Sequence, residues 1–322
     1  MQRSARVTDD ALEVVQAAAI EVSDGPAWLV ETLWAEEGVG IVGGAPKCCK
    51  SWLALDLALS VASGTPALGT YAVPLAGPVL LFAAEDPPAT IRSRLFGLAQ
   101  QRGLELERLP LHVILAPSLR LDTPGDQARL LETVSRYRPR LLVLDPFVRL
   151  HRIDENSALE VSGVLAYLRD LQRRHHVAVL VVHHARKASA GAEQAGQTLR
   201  GSGDFHAWGD SNLYLRRRRG LLELAIEHRS AKSPDPVQLA LKDGDDHPPH
   251  LAIVGADAAF SSGGDDLQQR VLDALAADAA PVTQENLRAK LQVRLQRLVV
   301  ALRDLERDGR LARSPAGWAI ST

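Results

Sequence analysis

Short runs of apolar residues alternate along this chain with longer segments whose apolar positions recur at helical spacing. Such runs are typical of strands buried in a parallel sheet, and the longer segments are typical of its covering helices. The predicted strands are 40–43, 79–84, 111–115, 141–145 and 177–184. The predicted helices are 51–63, 89–102, 127–137 and 158–174. The pattern therefore predicts an α/β fold, a mostly parallel sheet covered by helices on both faces.

Three of the predicted strands end in side chains that can carry chemistry. These side chains are Glu85, Asp145, and the pair His183 and His184. Ligand sites of open α/β sheets lie outside the carboxyl ends of the strands, so the sequence predicts that the three ends share one site.

The segment between the first strand and the first helix matches a phosphate-binding loop at all fixed positions but one. The Walker A pattern is G-x-x-x-x-G-K-[ST], and Cys49 replaces its second glycine. Such a loop directs backbone N–H groups and a helix N-terminus at phosphate, although a chance glycine-rich turn is the alternative. The predicted nucleotide-binding residues are Gly44, Ala45, Pro46, Lys47, Cys48, Cys49, Lys50, Ser51 and Trp52.

The side chains at the strand ends suggest roles in phosphoryl transfer. Ser51 and Asp145 would bind Mg²⁺, because Asp145 follows four apolar residues as in a Walker B motif; a turn aspartate is the alternative. Glu85 would orient or deprotonate the attacking water, or else cap the next helix. His183 or His184 would sense the γ-phosphate, unless one is simply buried and the other solvated.

Composition narrows the class of protein. The 322 residues are 46% hydrophobic and carry a formal net charge of -2, which argues against a uniformly basic nucleic-acid coat. The two cysteines are adjacent and have neither disulfide nor metal-ligand spacing, which favours a reducing cytoplasm. No apolar run approaches the ~18 residues of a membrane span, and the N-terminus lacks a signal-peptide pattern, so a soluble protein without a membrane partner is expected.

A basic segment lies between two further predicted strands, 212–215 and 221–226. Its four consecutive arginines are Arg216, Arg217, Arg218 and Arg219. At the tip of a hairpin they would follow a nucleic-acid backbone, or else form a solvated rim.

The C-terminal region has a different pattern. After a linker at 261–266, residues 267–322 predict three short helices and a β-hairpin, which resembles a winged helix-turn-helix. From residue 286 onward, eight Arg or Lys stand against three acidic residues, a local balance of +5 that suits DNA phosphates. Arg294 and Arg297 on the third helix are the candidate DNA contacts, although winged helices also bind proteins.

Residues 28–241 resemble the RecA-like ATPases, most closely the plasmid RepA-type hexameric helicases. The segments that carry the resemblance are 44–55 (GAPKCCKSWLAL), 81–87 (LFAAEDP), 142–146 (LVLDP), 182–187 (VHHARK) and 199–203 (LRGSG). The predicted division is an N-terminal extension at 1–27, a RecA-like domain at 28–260, the linker, and the winged helix.

The resemblance implies a homo-oligomeric ring, a hexamer in this group, with ATP held between subunits. It implies that Glu85 is the catalytic glutamate and that Arg229, or alternatively Lys232, reaches the neighbouring subunit's ATP. It also implies that single-stranded DNA in the ring channel contacts Lys187 and Arg200 beside a small, polar loop.

Cys49 is the departure from this family, which has glycine at that position. A non-glycine residue in an unfavourable backbone conformation costs about 1–3 kcal/mol. The sequence therefore leaves two interpretations: an ATPase acting on DNA, in replication or as a helicase, or a DNA-binding regulator with a degenerate loop. A thiol beside Lys50 and a helix N-terminus is also expected to have a depressed pKa and to be sensitive to oxidation.

Overall fold

The computed structural model forms two compact units, Met1–Ala252 and Ile253–Thr322. The residues that it describes are 14–19, 27–155, 157–184, 203–218, 221–244, 247–254, 265–276, 281–291, 298, 302, 305–306, 309–314 and 317–320. Each unit is considered by itself below.

A mixed, mostly parallel sheet forms the centre of the first unit. Its nine strands among the described residues are β3 (Val39–Gly44), β4 (Val79–Ala83), β5 (Leu111–Val113), β6 (Leu141–Asp145), β7 (Ala178–His184), β8 (Ser211–Arg218), β9 (Leu221–His228), β10 (Val237–Gly244) and β11 (His247–Ile253). Their spatial order is β11-β10-β9-β8-β3-β7-β6-β4-β5. The strands from β8 to β5 pair in parallel, whereas β9 is antiparallel to both β8 and β10. A short antiparallel pair, β1 (Trp28–Val30) and β2 (Trp34–Ala35), precedes the sheet.

Helices cover both faces of this sheet. They are α1 (Lys50–Ser63), α2 (Pro88–Gln101), α3 (Pro124–Tyr137), α4 (Ala158–His175) and α5 (Gly203–Trp208). One face packs on α3, α4 and α5 through a core that contains alternate residues of β3, β4, β6 and β7. α1 packs across the same strands and against α2. The predicted α/β fold and its four helices are confirmed by these elements.

A buried ion pair ties α1 to the end of α2. Asp56 of α1 is 1% exposed, and its carboxylate pairs with the Arg102 guanidinium. The same carboxylate accepts a hydrogen bond from the Leu68 backbone N–H at 2.8 Å, and Arg102 also donates to Ser60 Oγ at 2.7 Å. Because the polar atoms are partnered, the pair is tolerated inside the α1–α2 contact.

Two strand assignments from the sequence were incomplete. The predicted hairpin forms, because β8 and β9 pair antiparallel, but Arg216, Arg217 and Arg218 belong to β8 rather than to the tip. The prediction also missed β10 and β11, because their proline, glycine and aspartate content is typical of turns rather than strands.

The second unit contains α6 (Asp265–Ala276), α7 (Gln284–Leu291) and the antiparallel hairpin β12 (Leu311–Ser314) and β13 (Gly317–Ile320). Asp265 and Asp266 are helical, although the sequence assigned them to the linker. Buried, helical Leu298, Leu302 and Leu305 have the spacing of the predicted third helix. They share a core with residues of α6, α7 and the hairpin.

No helix in the described ranges combines the length and the apolar character needed to cross a bilayer.

The close approach of β3 to β8 yields a stability prediction. A Cβ at Gly40 would lie 1.7 Å from the Ser211 carbonyl oxygen, so Gly40→Ala must push the two strands apart. We expect a loss of about 1–3 kcal/mol in the free energy of unfolding, measured by urea denaturation. Gly163 in α4 is the matched control, since its added Cβ meets nothing within 4 Å. Gly163→Ala should stabilise by about 0.5–1 kcal/mol; equal effects at both sites would contradict the strand contact.

Candidate nucleotide-binding site

The phosphate-binding loop lies between the central strand and α1, as the sequence predicts. β3 ends at Gly44, where φ is 155° and an added Cβ would lie 2.3 Å from the Leu215 carbonyl oxygen. α1 begins at Lys50, which directs its N-terminus at the loop. Only glycine fits position 44, because both the backbone conformation and the space exclude a side chain.

Cys49 adopts the conformation that a glycine would favour. It precedes α1 with φ 60° and ψ 25°, in the left-handed region, and Lys47 two residues earlier has φ 63°. The loop therefore keeps its turn despite the cysteine, with backbone strain on the order of 1–3 kcal/mol.

A cleft of ≈ 330 Å³ opens beside the loop. It is lined by Lys47, Cys48, Cys49, Lys50, Ser51, Trp52, Ala83, Glu85, Asp86, Arg94, Asp145 and His184. The loop, both predicted carboxylates and one of the two predicted histidines thus meet in one place. Four other residues predicted for the loop and for the γ-phosphate sensor do not line the cleft: Gly44, Ala45, Pro46 and His183.

Burial disfavours charge on both Lys50 and Asp145. Lys50 is 4% exposed, and burial lowers the pKa of its ammonium while Nζ donates to the Ala45 carbonyl at 2.9 Å. Burial raises the pKa of Asp145 to about 6, against the lowering effect of a hydrogen bond from Ser51. Glu85 and Asp86 raise this pKa further. The carboxyl end of β6 is therefore a place where added positive charge is favourable.

These residues fit a magnesium ion bound together with phosphate. The described residues contain no group of three or more His, Cys, Asp or Glu side chains that could hold a metal by themselves. Ser51 and Asp145 instead offer one hydroxyl and one carboxylate in hydrogen-bonding contact. Mg²⁺ prefers oxygen ligands and usually binds through one or two protein groups plus phosphate and water, which matches this pair.

Glu85 lies two residues beyond the end of β4, and its two carboxylate oxygens face different partners. Arg149 Nε donates to Oε1 at 3.2 Å, and His184 Nε2 lies 3.8 Å from Oε2. Glu85 is not the cap of α2, because the N-cap position is occupied by Pro87 and no side chain makes a capping hydrogen bond there. The carboxylate stays 44% exposed and faces a cleft from which water can approach.

The two histidines that end β7 occupy different environments. His184 lines the cleft, and burial followed by the charge of Lys50 lowers its pKa. His183 is buried against the Phe205 ring at 4.4 Å, with Nε2 3.7 Å from the Glu155 carboxylate. Nearby His151 and His183 hold the pKa of the Glu155 carboxyl down to about 2. His184 is thus the histidine in a position to meet a ligand.

The sequence did not predict Arg94 and Asp86 as cleft residues. Arg94 lies 5.3 Å from the Trp52 ring centre and pairs with Asp86 at 2.5 Å. Trp52 was predicted as a nucleotide-binding residue, and Asp86 directly follows the predicted Glu85. No predicted motif contains Arg94, and the packing of α2 beside α1 brings it here.

The expectation of a depressed Cys49 pKa was wrong. Burial raises the pKa of the Cys49 thiol, and this outweighs the opposing charges of Arg217 and Lys50. The thiol is therefore protonated at neutral pH, which removes the reason for expecting an oxidation-sensitive site.

Arg229 lies at the amino end of β3, whereas the loop follows its carboxyl end. Its backbone N–H donates to the Asp210 carbonyl at 2.9 Å, and Asp210 is bonded to Val39 at the amino end of β3. Its guanidinium contacts the Asp210 carboxylate and the Ala207 carbonyl. Five strand steps of about 3.3 Å separate Val39 from Gly44, so Arg229 does not reach the cleft of its own chain.

The predicted nucleic-acid contacts are only partly described. Arg216 pairs with Glu223 across β8 and β9, with Nε 2.6 Å from a carboxylate oxygen. Arg217 is exposed, and β8 brings it past the end of β3 so that its charge acts on Cys49. The side chain of Arg218 lies outside the described residues, as do Lys187, Arg200, Arg219, Arg294 and Arg297.

A sequence model of the AAA domain family matches residues 5–190. The chain belongs to the AAA domain family. The match begins inside the segment that the sequence assigned to an N-terminal extension, and it covers the loop, Glu85, Asp145 and both histidines. At the level of this family, the chain is a nucleotide-binding protein of the P-loop ATPase type.

A solved structure described as a DnaB-like replicative helicase, with its interactions with primase, has a similar fold. The similarity covers 67% of this chain and 59% of that one, with a TM-score of 0.53 and 14% identity. The chain thus spans less than two thirds of the length of that protein. At this identity the likeness concerns the fold alone, and it confirms the predicted RecA-like α/β architecture.

The raised pKa of Asp145 predicts a pH effect on stability without magnesium or nucleotide. The folded pKa of about 6 exceeds the ordinary aspartate pKa of 3.8, so the folded state binds the proton more tightly than the unfolded state does. Ionisation of Asp145 should then cost stability as pH rises from 4 to 7, up to about 3 kcal/mol. Asp145→Asn should remove this loss, so its stability relative to the native protein should rise with pH in urea denaturation.

Asp126→Asn is the control with the opposite sign. A backbone hydrogen bond from Arg120 lowers the pKa of Asp126, so that carboxylate stabilises the fold above its unfolded pKa and loses this effect in acid. Asp126→Asn should therefore lose relative stability as pH rises. A pH-independent difference for Asp145→Asn would contradict the environment described for Asp145.

Proposed function

We propose that this protein hydrolyses ATP within a homo-oligomeric ring, a hexamer, and couples hydrolysis to movement on DNA in the cytoplasm. The observation that carries the proposal is the meeting of Lys50, Ser51, Asp145, Glu85 and His184 in one cleft at the amino end of α1. A phosphate-binding lysine, a magnesium-binding pair and a candidate base are the parts that phosphoryl transfer to water requires.

Each residue of the cleft has a task that its environment suits. Loop N–H groups and Lys50 would bind phosphate oxygens, and Ser51 and Asp145 would hold Mg²⁺. Bound Mg²⁺ supplies charge neutralisation on the phosphates. Glu85 would accept the proton of the attacking water, since its carboxylate is solvent-accessible and beside the loop. His184 would sense the γ-phosphate, because it lines the cleft and contacts Glu85.

Arg229 would complete the site of the neighbouring subunit. Its place at the amino end of β3, remote from its own loop, supports action in trans. An arginine that stabilises transferring phosphoryl charge is worth about 10³–10⁵ in rate in related chemistry, so an isolated subunit would turn over slowly. Lys232, nearby in the same connection, is the second candidate.

DNA is the proposed partner. The fold likeness to a DnaB-like replicative helicase and the resemblance to RepA-type helicases support single-stranded DNA in a ring channel. Lys187 and Arg200 are the proposed channel contacts, and exposed Arg217, with Arg216, Arg218 and Arg219, is a further candidate. The helices and hairpin of the second unit, proposed as a winged helix, would bind duplex DNA through Arg294 and Arg297, or a protein.

A second candidate function is a DNA-binding regulator whose loop no longer binds nucleotide well. Cys49 in the left-handed region favours it, since strain of about 1–3 kcal/mol corresponds to roughly 5- to 150-fold weaker binding if the ligand needs a relaxed loop. Lys50, Ser51, Asp145 and Glu85 line the same cleft as Cys49, which favours the ATPase.

ATP turnover with and without single-stranded DNA separates these functions. We expect DNA-stimulated turnover in the native protein, a loss of about 10²–10⁴-fold in Glu85→Gln because the base is removed, and tighter nucleotide binding in Cys49→Gly. Wild-type levels of turnover in Glu85→Gln would exclude the proposed base. An inactive native protein with an active Cys49→Gly variant would favour the regulator.

Mixing two inactive variants tests whether Arg229 acts in trans. Glu85→Gln lacks the base and Arg229→Ala lacks the arginine, but a mixed ring contains interfaces with both. In an equal mixture roughly a quarter of the interfaces should be intact, so turnover should recover toward that fraction. No recovery, with mixed rings demonstrated by native mass spectrometry, would contradict action between subunits.

A further inference from the structure

Glu85 is held by a side chain that stands outside the cleft. Arg149 Nε donates to Glu85 Oε1 at 3.2 Å, and Arg149 is not among the residues that line the cleft. The other carboxylate oxygen, Oε2, remains on the side of His184, whose Nε2 lies 3.8 Å away. One carboxylate oxygen thus accepts from the Arg149 guanidinium, and the other faces the cleft.

The backbone that carries Arg149 is fixed independently of Glu85. Residues Phe147–Arg149 form a 3-10 turn directly after Asp145 and Pro146, and the Phe147 side chain is fully buried. Arg120 Nη1 donates to the Arg149 carbonyl at 2.8 Å. The guanidinium therefore extends from a well-packed backbone segment, although the Arg149 side chain itself is 58% exposed.

We propose that Arg149 is a positioning residue that sets the orientation of the Glu85 carboxylate toward the cleft. The inference rests on the proposed function, in which Glu85 accepts the proton of the attacking water. Glutamate is a flexible side chain, and a partly exposed one loses rotamer freedom only when a partner restrains it. The planar guanidinium presents donors in a fixed geometry, so a single arginine restrains a carboxylate well. Catalytic bases are commonly oriented by such a further group.

Steady-state kinetics with matched variants test this role. Arg149→Ala should lower kcat by about 10- to 100-fold, because small misplacement of a base has effects of this size. The Kd for ADP should stay within about twofold, since Arg149 does not line the cleft. Arg149→Lys should recover part of the lost kcat. Arg152, exposed and three residues further along the same connection, provides the control, and Arg152→Ala should behave as the native protein.

A double-variant comparison separates positioning from a general effect on the fold. If Arg149 acts through Glu85, adding Arg149→Ala to Glu85→Gln should lower kcat no further. A further loss in the double variant, or a rise in KM and Kd with kcat unchanged, would overturn the positioning role. Thermal unfolding should hardly change in Arg149→Ala, because exposed ion pairs contribute little to stability.

A readout that does not depend on turnover distinguishes the failure of this inference from the failure of the proposed function. The ¹⁵N resonance of Arg149 Nε, assigned by its loss in Arg149→Lys, should shift in Glu85→Gln and stay unchanged in Arg152→Ala. An unshifted resonance in a protein that hydrolyses ATP would overturn the positioning role alone. The resonance could instead shift while neither the native protein nor the Cys49→Gly variant hydrolyses ATP. That result would overturn the proposed hydrolysis, and with it the positioning role of Arg149.

Discussion

The position of β3 between β7 and β8 is the constraint on which the rest of the structure depends. Its last residue, Gly44, is paired with His184 on one side and with Leu215 on the other. The first pairing sets the cleft histidine beside the loop, and the second brings Arg217 past the same edge. Gly40 and Gly44 permit this close approach, because a Cβ at either would strike a backbone oxygen of β8.

The side chains of the cleft do not fully stabilise one another's charges. Burial opposes charge on both Lys50 and Asp145, and the hydrogen bond from Ser51 only partly offsets it at Asp145. Glu85 keeps access to water because it lies at the exposed rim. A polyanionic ligand would stabilise the charged form of Lys50, and a divalent cation would stabilise the charged form of Asp145. The cleft therefore suits phosphate with a metal ion better than an uncharged metabolite.

Cys49 shows how a motif position can change while its geometry is retained. The backbone keeps the left-handed conformation, as it does at Lys47, because the flanking strand and helix determine the path of the loop. The cost appears as local strain and as a side chain lining the cleft. Burial also raises the pKa of the thiol, which keeps it protonated at neutral pH.

The sequence by itself determined the parallel core, the loop, and the strand-end residues Glu85, Asp145 and the pair His183 and His184, because apolar runs and fixed motif spacings are local properties of the chain. It did not distinguish His183 from His184, since successive residues of a strand point to opposite faces and only the packing of Phe205 shows which face is buried. Tertiary structure alone brought Arg149 to Glu85 and Arg94 to Trp52. It also placed Arg229 at the end of the sheet away from the loop. These contacts join segments that are distant in sequence, and no local pattern records them.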